Sequence, residues 1–145
     1  MTTGVVVLVC AVGLSVAFGL WRTTTDGRFG SADAEAVDDP PSPARALLEG
    51  LGTELGPRAT LVQFSSAFCA PCRAARVVLS GVAAEVEGVV HVEVDAEEHL
   101  QATRDLDILR TPTTLVLDAR GAEVSRASGA PSREQVLVAL GRAVP

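Results

Sequence analysis

Leu61-Val62-Gln63-Phe64-Ser65-Ser66-Ala67-Phe68-Cys69-Ala70-Pro71-Cys72-Arg73 is the stretch on which the fold turns. Its first part belongs to the apolar run Ala59 to Phe64, which suits a buried strand. Its last part opens a helix. Pro71 fits a first helical turn, and Ala75, Val78, Leu79, Val82 and Val86 then recur at helical spacing as far as Gly88. Cys69 and Cys72 sit at the joint. Two thiols at that spacing close a small ring, so the disulfide forms and reopens readily. A structural staple usually joins distant elements of a small secreted domain, whereas C-x-x-C beside a strand–helix alternation reads as a redox motif. The chain has 3 cysteines, and Cys10 lies apart in an apolar N-terminal run.

Toward the C-terminus, Val89 to Asp95 alternates as a strand with one polar face. Glu97 to Leu106 is polar and helix-prone. Thr113 to Leu117 is a second buried strand, and the turn at Asp118-Ala119-Arg120-Gly121 returns Glu123 to Ala127 as a hairpin. Ser132-Arg133-Glu134-Gln135 has the form of a capping box opening a last helix, with Val136, Leu137 and Leu140 inward. Before the decisive stretch, Ala44 to Leu55 carries Leu47, Leu48, Leu51 and Leu55 on one helical stripe, which Pro57 ends. The order αβαβαββα predicts an α/β three-layer sandwich: a mixed sheet with flanking helices, parallel where helices separate strands and antiparallel at the closing hairpin.

The N-terminus has another character. Gly4 to Trp21 is an 18-residue run without a charged side chain, about 27 Å as a helix, the reach of a bilayer core. Trp21 sits where an interfacial aromatic belongs, and Arg22 follows. A cleaved signal peptide would want a positive start, which Met1-Thr2-Thr3-Gly4 lacks, and Ser15-Val16-Ala17 falls inside the apolar run rather than after it. A buried soluble helix would want a second, polar face. The adopted reading is an uncleaved single-pass transmembrane helix over residues 1–21, with Cys10 as an apolar filler. Residues 22–43 turn small, acidic and Pro-rich and read as a flexible linker, leaving residues 44–145 as the folded domain. Arg22 and Arg28 lie just after the span with no positive side chain before it. The positive-inside rule therefore leans toward a cytoplasmic domain, although Asp26 between them leaves the membrane side open.

At 145 residues the chain holds one domain plus an extension. Hydrophobic residues make up 48% of it, so a core is within reach, packed mainly by Val, Ala and Leu because there are only 4 Phe, 1 Trp and no Tyr. A net charge of −6 without a basic cluster argues against nucleic acid as a partner.

The element order, C-x-x-C at the start of the second helix of the folded domain, and Thr111-Pro112 just before the hairpin strand together resemble the thioredoxin family. Leu61-Val62-Gln63-Phe64 leads into Cys69-Ala70-Pro71-Cys72, Val94-Asp95 closes the next strand, Leu109-Arg110-Thr111-Pro112-Thr113 precedes the hairpin, and Gly129-Ala130 leads into the last helix. The similarity covers nearly all of the folded domain. It implies a thiol–disulfide oxidoreductase acting on protein thiols and disulfides, as a monomer and without a cofactor. Cys69, at the helix start where the dipole favours negative charge, is the expected nucleophile, and Cys72, one turn further in, the resolving thiol. Pro71 restricts the loop between them. Thr111-Pro112 reads by itself as a strand-entry proline; by resemblance it is the cis-proline loop lying against the cysteines and presenting backbone to a partner.

The departures are specific. Ala70 replaces a common glycine. Ser65 and Phe68 stand where the family usually has tryptophans. Gln63 stands where the family places a buried aspartate that manages the proton of the resolving cysteine, and an amide cannot take that proton. His91 occupies the position of a neighbouring lysine and could face Gln63, so it is either a solvent-facing strand residue or a partial proton carrier. His91 and His99 could complete a zinc site with the two cysteines, but their spacing lacks the tight pairing zinc sites use, and no metal is expected. His99, Glu97 and Glu98 read as a solvated helix start. Two other classes stay open: a non-catalytic binding module of the same fold for a membrane partner, favoured by the missing aspartate and tryptophans, and a metal carrier.

Overall fold

A computed structural model describes residues 2–25, 27–31 and 42–144. The chain runs α1 (Thr2–Thr25), β1 (Phe29–Ser31), α2 (Pro43–Gly50), β2 (Ala59–Ser65), α3 (Ala70–Glu85), β3 (Val89–Asp95), α4 (Leu100–Asp105), β4 (Thr113–Asp118), β5 (Glu123–Ser128) and α5 (Arg133–Ala143). From α2 onward this is the anticipated αβαβαββα. The strands form one mixed sheet in the order β1-β5-β4-β2-β3.

Alternation along the central strands sorts the core onto two faces. Leu61 and Val116 point to one side and join Ala75, Leu79, Val136 and Leu140 of α3 and α5. Val62, Phe64, Leu115 and Leu117 point to the other and join Ala44 and Leu48 of α2 and Leu106 beside α4. The result is the three-layer sandwich. Burying one such leucine contributes roughly 1.5–3 kcal/mol, and all the side chains at the sheet centre are fully enclosed.

Four local readings need correction. The strands separated by helices are not all parallel: β2 and β3 are, but β4 returns on the other side of β2 and runs antiparallel to it, Phe64 opposite Thr113. Helix α2 ends at Gly50 rather than near Pro57, because Gly52 adopts a positive φ of 66° and the Thr53 N–H turns back to Leu48 O at 2.9 Å. Helix α4 starts at Leu100, since Asp95 first turns the chain by accepting the Glu97 N–H at 2.8 Å. The 22–43 linker is not wholly a linker. Helix α1 continues to Thr25, and Phe29–Ser31 is an edge strand paired antiparallel with β5; residues 26 and 32–41 lie outside the described ones. Helix α1 contains one stretch, Gly4–Trp21, with mean hydropathy 2.4, long and apolar enough to cross a membrane. Its described side chains, Cys10 included, are exposed.

Candidate active site

Strand β2 runs into the loop Ser66-Ala67-Phe68 and delivers Cys69 as the N-cap of α3. Its Sγ accepts the Cys72 N–H at 3.1 Å, one of the donors that a helix start leaves without an intrahelical partner. Pro71 lies in the first turn, as its fixed φ favours. Cys69 and Cys72 are joined as a disulfide with Cα atoms 5.2 Å apart. Cys72 is 2% exposed while Cys69 is partly exposed, so an incoming sulfur can reach Cys69 and not Cys72.

The Thr111–Pro112 peptide bond is cis. The loop is tied to the cysteine loop by the Ser66 and Thr111 hydroxyls at 3.1 Å. It is tied to the end of β5 by the Gly129 N–H donating to Pro112 O at 2.7 Å. Phe68 and Leu109, 99% and 93% exposed, stand on the two loops that the Ser66–Thr111 bond joins.

Behind Cys72 lies a polar network. Gln63 is fully buried, and its Nε2 donates to Cys72 O at 2.9 Å and to Ser65 Oγ at 2.8 Å. With both amide hydrogens committed, Oε1 faces His91 Nε2 at 3.1 Å, which makes Nε2 the protonated nitrogen of that ring. Ser65, having accepted from Gln63, donates to Glu93. Glu93 in turn takes a bidentate grip from Arg76 of α3, at 2.6 and 2.7 Å. Burial pushes the His91 imidazole below its ordinary value, with Glu93 pulling it up and Arg76 pushing it further down. Burial also acts to raise the Glu93 carboxyl. The bonds from Arg76 and Ser65, with the charges of Arg76 and His91, outweigh it and hold that carboxyl below its usual range. A cleft of about 430 Å³ lined by Cys69, Cys72, Ser65, Ser66, Arg76 and Glu93 opens beside this network.

The structure thus brings together Cys69, Cys72, Pro71, Thr111 and Pro112 on the reactive side, and Gln63 and His91 behind them. It adds Ser65, Glu93 and Arg76. The signal for Glu93 was present: it follows His91 by two residues on an alternating strand and so shares its face. Among the described residues no group of three or more His, Cys, Asp or Glu converges on a common point.

Residues 54–141 match the family model described as Thioredoxin. The thioredoxin of Mycolicibacterium smegmatis is 32% identical over 87 residues, covering 58% of this chain and 77% of that one. The mouse Thioredoxin domain-containing protein 2 is 33% identical over 60 residues, 41% of this chain. The chain spans only 12% of that protein's length. Among solved structures, Fasciola hepatica thioredoxin superposes with a TM-score of 0.57 at 28% identity, covering 68% of this chain and 92% of its own. The thioredoxin of Nicotiana alata gives 0.58 at 21% identity, with 76% and 100% covered, a likeness of fold.

Proposed function

From the premise that this chain belongs to the thioredoxin family, we propose that it is a membrane-tethered thiol–disulfide oxidoreductase whose substrates are protein thiols and disulfides. The observation that carries the reading is the asymmetry of the pair: Cys69 reachable at the helix N-cap, Cys72 enclosed behind it. In the reducing direction, the Cys69 thiolate attacks one sulfur of a substrate disulfide and expels the other as thiolate. The Cys72 thiolate then attacks Cys69 Sγ and releases the first sulfur. The substrate gains two electrons and two protons, and the chain keeps the disulfide seen here. The reverse sequence oxidises a dithiol, and the potential of the compartment decides between them. The Thr111–Pro112 loop, beside the sulfurs, lays out the partner's backbone. Helix α1 is the tether, and the arginines after the span favour a cytoplasmic domain.

Gln63 and His91 are assigned a supporting role. They hold the carbonyl of Cys72 and the first turn of α3 in place, and Nδ1 of His91, which Gln63 does not engage, is the nitrogen through which the ring exchanges a proton as Cys72 gains or loses its own. The pH profile of mixed-disulfide resolution in His91→Ala is then displaced from that of the parent; an unchanged profile removes the proton role.

The main test uses the full chain in neutral detergent, reduced, freed of reductant and mixed with a small disulfide-containing protein. Stoichiometric reduction is expected. Cys69→Ser abolishes it, and Cys72→Ser accumulates a chain–substrate mixed disulfide. If the parent chain neither reduces a disulfide nor oxidises a dithiol, the enzyme reading falls and the binding-module reading takes its place.

A further inference from the structure

The way the anchor enters the sheet decides which end of the domain lies near the membrane. Four residues mark one end of the sheet as a row. Phe64 of β2 is opposite Thr113 of β4, Thr113 is opposite Ser128 of β5, and the Gly27 N–H donates to Ser128 O at 2.8 Å. The cysteine loop leaves β2 at this same end. The edge strand β1 therefore begins at the reactive end and runs away from it.

The joint is tight. Gly27 has φ +76°, and a Cβ placed there would meet Ala130 O at 2.5 Å. Phe29 packs against the core, and the Ser125 hydroxyl donates to Gly30 O at 2.8 Å. Helix α1 ends at Thr25, so a single residue separates it from the row. Two residue steps reach at most about 7 Å. From Trp21, the end of the apolar span, to Thr25 is about 6 Å of helix. Three strand spacings, about 14 Å, separate Gly27 from the end of β2. Entry at the opposite end of these strands would have set the sulfurs about 20 Å further from the anchor.

We infer that the Cys69–Cys72 pair faces the bilayer, and that its substrate is a disulfide or dithiol carried by a membrane protein at the level of the lipid headgroups. The inference rests on the oxidoreductase reading and specifies its partner. In the exchange two electrons and two protons pass between the partner's sulfur pair and this one. The loops around the sulfurs fit such a partner, since Phe68, next to Cys69, and Leu109, two residues before the Thr111 that bonds Ser66, offer almost fully exposed apolar surface. Apolar side chains there can pack on a segment just emerging from the membrane.

The test places the reduced full chain in phosphatidylcholine vesicles with one of two synthetic single-span peptides. Both carry the same disulfide loop, one within three residues of the apolar segment, the other raised by a rigid helical spacer of about 20 residues, about 30 Å. A soluble peptide with that loop is the reference. The bilayer-level loop is expected to be reduced about tenfold or more faster than the raised one, because the anchor fixes the effective concentration at that height. A flexible Gly/Ser insert of about 20 residues between Asp26 and Gly27 is expected to bring the ratio near one while leaving the soluble rate unchanged. Equal rates in the parent, a faster raised loop, or a ratio that survives the insert overturns the inference. If the chain reduces the soluble peptide but does not float with the vesicles, the inference also falls while the exchange reading stands. No reduction of the soluble peptide overturns the exchange reading itself.

Discussion

Gln63 is the residue through which the site differs most from its family pattern. Without the family's carboxylate, the buried position behind Cys72 holds a neutral group whose two donors and one acceptor are all used, on Cys72, Ser65 and His91. Such a group is inexpensive to bury because it carries no charge and leaves no atom unpaired. Removing it is another matter. In Gln63→Leu the half-buried His91 N–H loses its acceptor and the Cys72 carbonyl loses one donor. The predicted loss is about 1–3 kcal/mol of stability, the usual cost of stranding buried polar partners, read as a lower urea midpoint for the full chain in neutral detergent. An unchanged midpoint would mean the network adds nothing to the fold. Thr114 offers a contrast: it is fully buried opposite Gln63, and among the described residues its hydroxyl has no partner.

At the scale of elements, most of the domain was legible because its strands and helices carry strong periods. The runs 59–64, 89–95 and 113–117 are apolar or alternating, and the capping box at Ser132 is complete, with Gln135 closing back on the Ser132 N–H at 2.7 Å. The chemistry at Cys69 and Cys72 was legible for the same local reason, since both residues and Pro71 lie within one helical turn. Strand β1 was not. Phe29-Gly30-Ser31 is too short for a period, and its neighbours are small and acidic, so only pairing with β5 makes it a strand. The antiparallel placement of β4 was hidden too, because neighbour choice in a sheet is a tertiary matter that no local pattern encodes. The Arg76–Glu93 pair joins α3 to β3, a distance in sequence that no motif bridges. Gly27 is the residue on which β1 depends. Gly27→Val puts a β-branched side chain at positive φ, costing about 1–2 kcal/mol, and drives its Cβ into Ala130 O. Faster amide exchange at Phe29, Gly30 and Ser31 is expected, with faster proteolysis between α1 and α2. Protection equal to the parent's would show that the strand is held without that joint.

Over the whole molecule, the two titrating groups of the network act in the same direction on stability. Burial holds His91 below its ordinary value of about 6.5, Glu93 opposing and Arg76 assisting. Below that value the unfolded chain binds the imidazole proton more readily than the folded one, so stability present at neutral pH falls as the pH drops through the window beneath about 6.5. Glu93 is also held below its ordinary value, about 4.5, because Arg76 and Ser65 outweigh the effect of burial. Its contribution is present above that value and is lost as the carboxyl takes up a proton in stronger acid. Acid therefore loosens α3 from β3 in two stages, the imidazole at the Gln63 end first and the Arg76 pair second. The urea midpoint of the full chain is expected to decline as the pH is lowered through and below about 6.5. In His91→Gln that decline flattens, while the further fall in stronger acid remains. A decline of the same size in the variant would assign the first stage to another group, and a rise on acidification in the parent would contradict an imidazole held below its ordinary value.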